Sequence, residues 1–265
     1  MQQEERYTYR FHERASMRTF RSISFLFLVV LPVPRSGFSQ EDTEPGRPLF
    51  RFSVTSGVTT FALGDLRDFT NTSVSGYSDA GMPMEVQREY PMNLTAGGEV
   101  AFLGLDPLAI GLSGSYTWTS AYARYGDYAG TLDLTSRVKV FSGMLLLQYA
   151  FSPGSSLQPF ADIRAGISRV SLSLEEIVDV SSTVGLRVDS DLSGAKTGFV
   201  GEASAGLRYT FGWLALAGRA GYRYANVSSM DVEITSLGQS LGSGPLGFDL
   251  NTSGFVGVLT VEIVL

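Results

Sequence analysis

The stretch whose reading decides the fold is Leu214–Tyr224, LALAGRAGYRY. Leu214, Leu216, Gly218, Ala220, Tyr222 and Tyr224 alternate with Ala215, Ala217, Arg219, Gly221 and Arg223. Successive side chains of a strand point to opposite faces, so this period of two reads as strand. One face carries leucines and rings. The other carries small residues and arginine instead of the dense lysine and glutamate of a water-facing sheet. The scheme recurs upstream, where Phe199, Leu207 and Tyr209 oppose Glu202, Ser204 and Arg208. It recurs at the end of the chain, where Phe255, Leu259, Val261, Ile263 and Leu265 oppose Thr260 and Glu262.

Working outward, eight such segments are expected: 50–61, 92–103, 108–119, 134–151, 159–173, 197–210, 214–227 and 252–265. Short connections, Gly104–Pro107, Ser152–Gln158 and Phe211–Trp213, alternate with long ones, 62–91, 120–133, 174–196 and 228–251. Short periplasmic turns and longer external loops are the layout of a barrel that crosses an outer membrane. The fold expected is therefore all-β: an eight-stranded antiparallel up-and-down transmembrane β-barrel.

A soluble barrel alternates too, so residue types decide between the two. Charges within the strands fall mainly on the small-residue face: Arg51, Glu99, Asp162, Arg164, Glu202, Arg208, Arg219, Arg223 and Glu262. Five positive and four negative groups nearly cancel, as an enclosed set must, because an uncompensated buried charge is costly. The tight turn at Phe211–Trp213 sets Glu202 opposite Arg223 or diagonal to Arg219, and barrel closure brings Glu262 near Arg51. Aromatic residues gather at the segment ends. Phe50, Phe52, Phe102, Tyr149, Phe151, Tyr209, Phe211 and Trp213 lie by the short turns, and Tyr116, Trp118, Tyr222 and Tyr224 by the long connections. Two such belts mark the two interfaces of a membrane.

Composition agrees. Only 17% of the 265 residues are charged and 30 are glycine, whereas an ordinary soluble domain is about 25% charged. The N-terminus reads as a secretory signal: Arg18 and Arg21, the apolar run Ile23–Val33, then Gly37 and Ser39 before Gln40. Residues 1–39 are thus expected to be an extension and signal peptide, with translation starting at Met1 or Met17, and residues 40–265 the barrel domain. Gln40–Pro48 reads as a short periplasmic lead. Without residues 1–39 the chain has 14 basic and 23 acidic residues, a net −9, which argues against a nucleic-acid partner.

Catalytic chemistry finds little support. The one histidine, His12, precedes the expected cleavage site, and there is no cysteine, so the usual general base and thiol nucleophile are missing. The carboxylates Glu175, Glu176 and Asp179, and Asp189 with Asp191, lie in long connections and read as solvated. No calcium-loop spacing is present. Gly97, Gly98, Gly111 and Gly114 lie in strands, where close packing explains them better than phosphate binding. Asn93-Leu94-Thr95 is a chance glycosylation match. No catalytic residue, cofactor or metal is expected, and the chain is read as non-enzymatic.

The opening strand FRFSVTSGVTTFALGDL (50–66), the hairpin GEASAGLRYTFGWLALAGRAGYRY (201–224) and the terminal GFVGVLTVEIVL (254–265) give the chain a resemblance. It resembles the small outer-membrane barrels of the OmpA/OmpX/OmpW kind over about residues 48–265, in architecture more than in motif. The resemblance implies insertion by the barrel-assembly machinery, which reads the last strand. There Ile263 and Leu265 fit the usual alternation, while Leu265 stands where the family usually has Phe and Thr260 where Gly is common. No peptidoglycan-binding domain is expected to follow. The expected partners are outer-membrane lipid and lipopolysaccharide, and the expected state a monomer in the cell envelope of a Gram-negative-type bacterium. The function expected is structural or surface-interacting, through four long external loops above a plugged polar interior, with Tyr122, Tyr125 and Tyr128 as a contact patch. The alternative is a small OmpW-like, porin-like channel for ions or small apolar solutes. A lipid-modifying enzyme is the least favoured reading.

Overall fold

The computed structural model describes residues 49–265 except 80, 89–91, 128–129, 181–185, 229 and 246–248. The expected signal segment and periplasmic lead lie outside the described residues. In chain order the elements are β1 (Phe50–Thr59), α1 (Gly64–Asp79), β2 (Glu85–Arg88), β3 (Asn93–Leu105), β4 (Leu108–Gly126), β5 (Gly130–Ala150) and β6 (Leu157–Val180). There follow β7 (Leu186–Phe211), β8 (Leu214–Val227), β9 (Asp231–Ser236), β10 (Gln239–Pro245), β11 (Leu250–Asn251) and β12 (Gly254–Val264). Eight of these close a ring in the order β1-β3-β4-β5-β6-β7-β8-β12, every neighbouring pair antiparallel. Closure joins the first strand to the last, with Ser53 opposite Glu262 and Thr59 opposite Val256. No edge of the ring is left open, which is the condition for a sheet to lie in lipid.

The eight segments expected from alternation are these eight strands. The long connections are not the loops expected. Residues 120–133 and 174–196 are largely strand, because β4, β5, β6 and β7 run on past the expected boundaries. The first long connection folds into α1, and the last into the hairpin β9–β10, which extends the sheet alongside β7.

The wall is banded, and β5 and β6 show why. From the short-turn end, Tyr149, Leu147, Leu145 and Phe141 point outward and are exposed, while Gln148, Leu146, Met144 and Ser142 point inward. Beyond Phe141 the pattern inverts: Lys139 and Arg137 are outward, and Val140 and Val138 are buried. On β6, Ile163 and Ile167 are outward against buried Asp162, Arg164 and Ser168; further along, Arg169 is exposed and Val170, Leu172 and Leu174 are buried. An apolar outside suits lipid and an apolar inside suits water. The inversion between Phe141 and Lys139 marks where the wall leaves the bilayer.

Above that level the barrel has an apolar core. Val138, Val140, Val170, Leu172 and Leu174 pack with Leu63, Leu66, Val227, Met230, Val232 and Leu250. The helix α1 is fastened to this core by Leu66, its one buried residue among those described. Two of its other apolar residues, Val74 and Tyr77, pack against the cluster of Met84, Ala123, Leu132 and Leu134. Small residues let strands and side chains meet inside the barrel. A Cβ on Gly221 would run into the Ala203 carbonyl and the Ser204 side chain.

Candidate functional site: the charged barrel interior

The nine charged residues singled out from the sequence all point into the barrel. Eight are buried, and Arg219, half-buried as a residue, has a side chain only 7% exposed. They form two layers. The deeper one holds Glu99, Asp162, Arg164, Glu202, Arg219 and Arg223, three acids and three bases. The layer nearer the short turns holds Arg51, Arg208 and Glu262.

Arg164 is the hub of the deeper layer. Its Nη1 donates to Glu99 Oε1 at 2.5 Å, its Nε and Nη2 donate to the two oxygens of Asp162 at 3.2 Å each, and its Nε lies 3.9 Å from Glu202 Oε1. Glu202 sits opposite Arg223 across the β7–β8 pairing, and Arg223 Nη2 donates to Glu202 Oε2 at 2.8 Å. Arg219 lies 3.1 Å from Glu99 and 3.6 Å from Glu202. Both partners expected for Glu202 are therefore in reach.

Near the short turns, Glu262 accepts from Arg208 Nε at 2.6 Å, while Arg51 Nε lies 3.9 Å away. The Arg51–Glu262 proximity is there, but the tighter partner of Glu262 is Arg208. Alternation could place these groups on the inner face; it could not rank partners on strands that are distant in the chain.

Two glutamines missed from the sequence, and Ser204, already placed on the inner face, complete the set. Gln148 Oε1 accepts from Arg51 Nη1 at 2.6 Å and from Arg208 Nη2 at 2.7 Å. Gln158 Oε1 accepts from Arg208 Nη1 at 2.7 Å, and Ser204 Oγ donates to Asp162 Oδ1 at 2.6 Å. Arg208 also stacks on Phe160, 5.0 Å from its ring centre. The signal for Gln148 was available, since it occupies an inward position of its alternation; Gln158 lay in an expected short connection, and β6 begins one residue before it. A search restricted to formal charges passes over them.

The belt residues lie on the outer face. Phe50, Phe52, Phe102, Tyr149, Phe151, Tyr209, Phe211 and Trp213 are exposed at the short-turn end, and Tyr116, Tyr222 and Tyr224 at the other, with Trp118 half-buried and stacked on Tyr116. Phe141, Phe199 and Phe255 join the second group. Rings pair within the belts, as Phe50 with Phe102, Tyr149 with Phe151 and Tyr222 with Phe255.

Of the expected tyrosine patch, Tyr122 donates to Asp133 Oδ1 at 2.7 Å and Tyr125 to Asp127 Oδ2 at 2.8 Å; Tyr128 lies outside the described residues. Burial first, then the Asp133 hydrogen bond, raises the Tyr122 phenol above its ordinary range. The same causes, with Glu176 as partner, push Tyr77 of α1 up. Glu175 pairs with Arg137 at 2.9 Å, and Asp191 accepts from Ser173. These carboxylates lie on β6 and β7, not in loops. Among the described residues no group of acidic or histidine side chains has a metal-holding arrangement.

A closed barrel with an apolar band between two aromatic girdles, its charges turned inward, is the architecture that crosses a bacterial outer membrane. The chain is a transmembrane barrel of that kind. No family model matches it, and no curated protein does. Several solved structures are similar. Neisserial surface protein A is 14% identical, with 82% of this chain and 97% of that one covered and a TM-score of 0.40. A major outer membrane protein from Thermus thermophilus is 13% identical, with 82% and 99% covered and a TM-score of 0.46. The outer membrane protein AlkL is 14% identical, with 86% and 96% covered and a TM-score of 0.38.

Proposed function

We propose that this chain is a non-enzymatic outer-membrane barrel with a structural or surface-interaction role, its interior filled and its long-loop end presented to the outside. The observation that carries this reading is the unbroken succession of buried side chains along the axis. The two charged layers give way to the hydroxyls of Ser142 and Ser168, and these to the apolar core under α1. An eight-stranded barrel has an interior just wide enough for side chains to fill, so ions find no continuous polar path along the axis. The strands that run on past the membrane, together with α1 and the β9–β10 hairpin, form the surface available for contact. Loops and extensions on a rigid scaffold are where such contacts reside. In this reading the wall is bathed in outer-membrane lipid and lipopolysaccharide, the barrel works as a monomer, and the barrel-assembly machinery inserts it.

Planar-bilayer recordings test the proposal. Wild-type protein refolded into a bilayer is expected to give no long-lived current steps at any moderate voltage. Reproducible steps of stable amplitude would overturn the filled-interior reading and favour a small channel.

A further inference from the structure

We propose that the short-turn mouth of the barrel binds a small oxyanion, a phosphate or a carboxylate, on the free edge of Arg51. A cavity of about 600 Å³ occupies this mouth, with Arg51, Gln148, Gln158 and Arg208 lining it and the turns around Asp106 and Gly154 at its rim.

Of the two layers, only this one is unbalanced in charge. The deeper layer pairs three acids with three arginines. The mouth sets two guanidiniums, Arg51 and Arg208, against the carboxylate of Glu262, with buried Glu99 of the deeper layer the next acid to act on Arg51. The other carboxylate lining the cavity, Asp106, is exposed at the rim, where water screens it.

The acceptors in the mouth are already engaged, mostly by Arg208. It takes Glu262 with Nε and Nη2, Gln158 with Nη1, and shares the Gln148 oxygen. Arg51 is left with one hydrogen bond, from Nη1 to Gln148. Its Nε and Nη2 are buried and have no hydrogen-bond partner within the protein, Nε lying 3.9 Å from Glu262 Oε1, although the residue is only 1% exposed.

Those two atoms form one edge of the guanidinium, with parallel N–H bonds. That edge matches two oxygens of a carboxylate or phosphate, which a spherical halide cannot do. Burying a cation with two idle donors is expensive. A ligand that supplies both a negative charge and two acceptor oxygens removes both penalties together. The inference does not depend on whether the barrel conducts.

The test uses the full chain refolded in zwitterionic micelles, with nitrogen-15 spectra of the arginine Nε–H groups. Inorganic phosphate is titrated against chloride at constant ionic strength. The Arg51 signal is expected to shift and saturate with phosphate, while that of Arg164, already bonded to carboxylates, stays in place. Arg51→Lys keeps the charge but loses the paired edge, and phosphate should bind it about tenfold or more weakly. A parallel titration with phosphatidic acid in the micelles separates the sources. Saturation by phosphate means a soluble anion, and saturation by the lipid alone means a headgroup. Either supports the site. No saturation with either probe, or an equal response to chloride, would overturn the proposal, and wild-type spectra suffice to show it if the variant does not fold.

Discussion

Arg164→Ala is expected to destabilise the barrel by about 3–5 kcal/mol, the usual effect of removing one partner from a buried ion pair. The reason lies in its contacts. Arg164 touches Glu99, Asp162 and Glu202 at once, and its removal leaves three buried carboxylates facing two arginines. Arg219 and Arg223 already serve Glu99 and Glu202, so Asp162 loses most. Urea unfolding from lipid vesicles measures the effect. Adding Asp162→Ala restores the charge balance, and the double variant should be more stable than Arg164→Ala alone. A loss below about 1 kcal/mol for Arg164→Ala, within the range of exposed pairs, would mean that water penetrates this layer freely.

The second large effect belongs to the outer wall. Leu259 on β12 is 74% exposed and Leu216 on β8 is 49% exposed. In water such positions tolerate arginine. In lipid an arginine near the midplane costs about 2–4 kcal/mol. Leu259→Arg and Leu216→Arg are each expected to show that loss in vesicles, with Leu259→Ala losing far less. Equal stability of Leu259→Arg and Leu259→Ala would place Leu259 outside the bilayer.

The membrane-embedded half of the fold was legible because two independent patterns coincide there. Period-two alternation locates the strands, and the partition of charges and rings between faces names the environment. Leu216, Tyr222, Arg219 and Arg223 carry both signals within one decade of sequence. The outer half was harder because the same alternation continues with its meaning reversed. In RVKV (137–140) and RVSLSL (169–174) the apolar residues turn inward and the polar ones outward. The segments expected at 134–151 and 159–173 cross these stretches but stop short of Gly130 and Val180, where β5 begins and β6 ends.

The helix α1 was invisible for a different reason. GDLRDFTNTSVSGYSD (64–79) is rich in Gly, Ser, Thr and Asn, which are weak helix formers. Tertiary packing of Leu66 holds it, while Thr70, Ser73 and Ser78 donate to carbonyls four residues back. Within the charged interior, membership could be read from position along each strand. Partner choice, such as Glu262 taking Arg208 over Arg51, depends on reach across the lumen, which no local pattern encodes.

The banded wall is tested most directly by single nitroxide labels on the outer face, which the cysteine-free sequence allows without background substitutions. With the protein in vesicles, labels at Leu145, Ile163 and Leu259 should relax with oxygen, which partitions into lipid, and be shielded from a water-soluble nickel complex. Labels at Lys139 and Ser171 should show the reverse, with the crossover falling between residues 141 and 139 on β5. Equal nickel accessibility at Ile163 and Lys139 would contradict a membrane-spanning barrel.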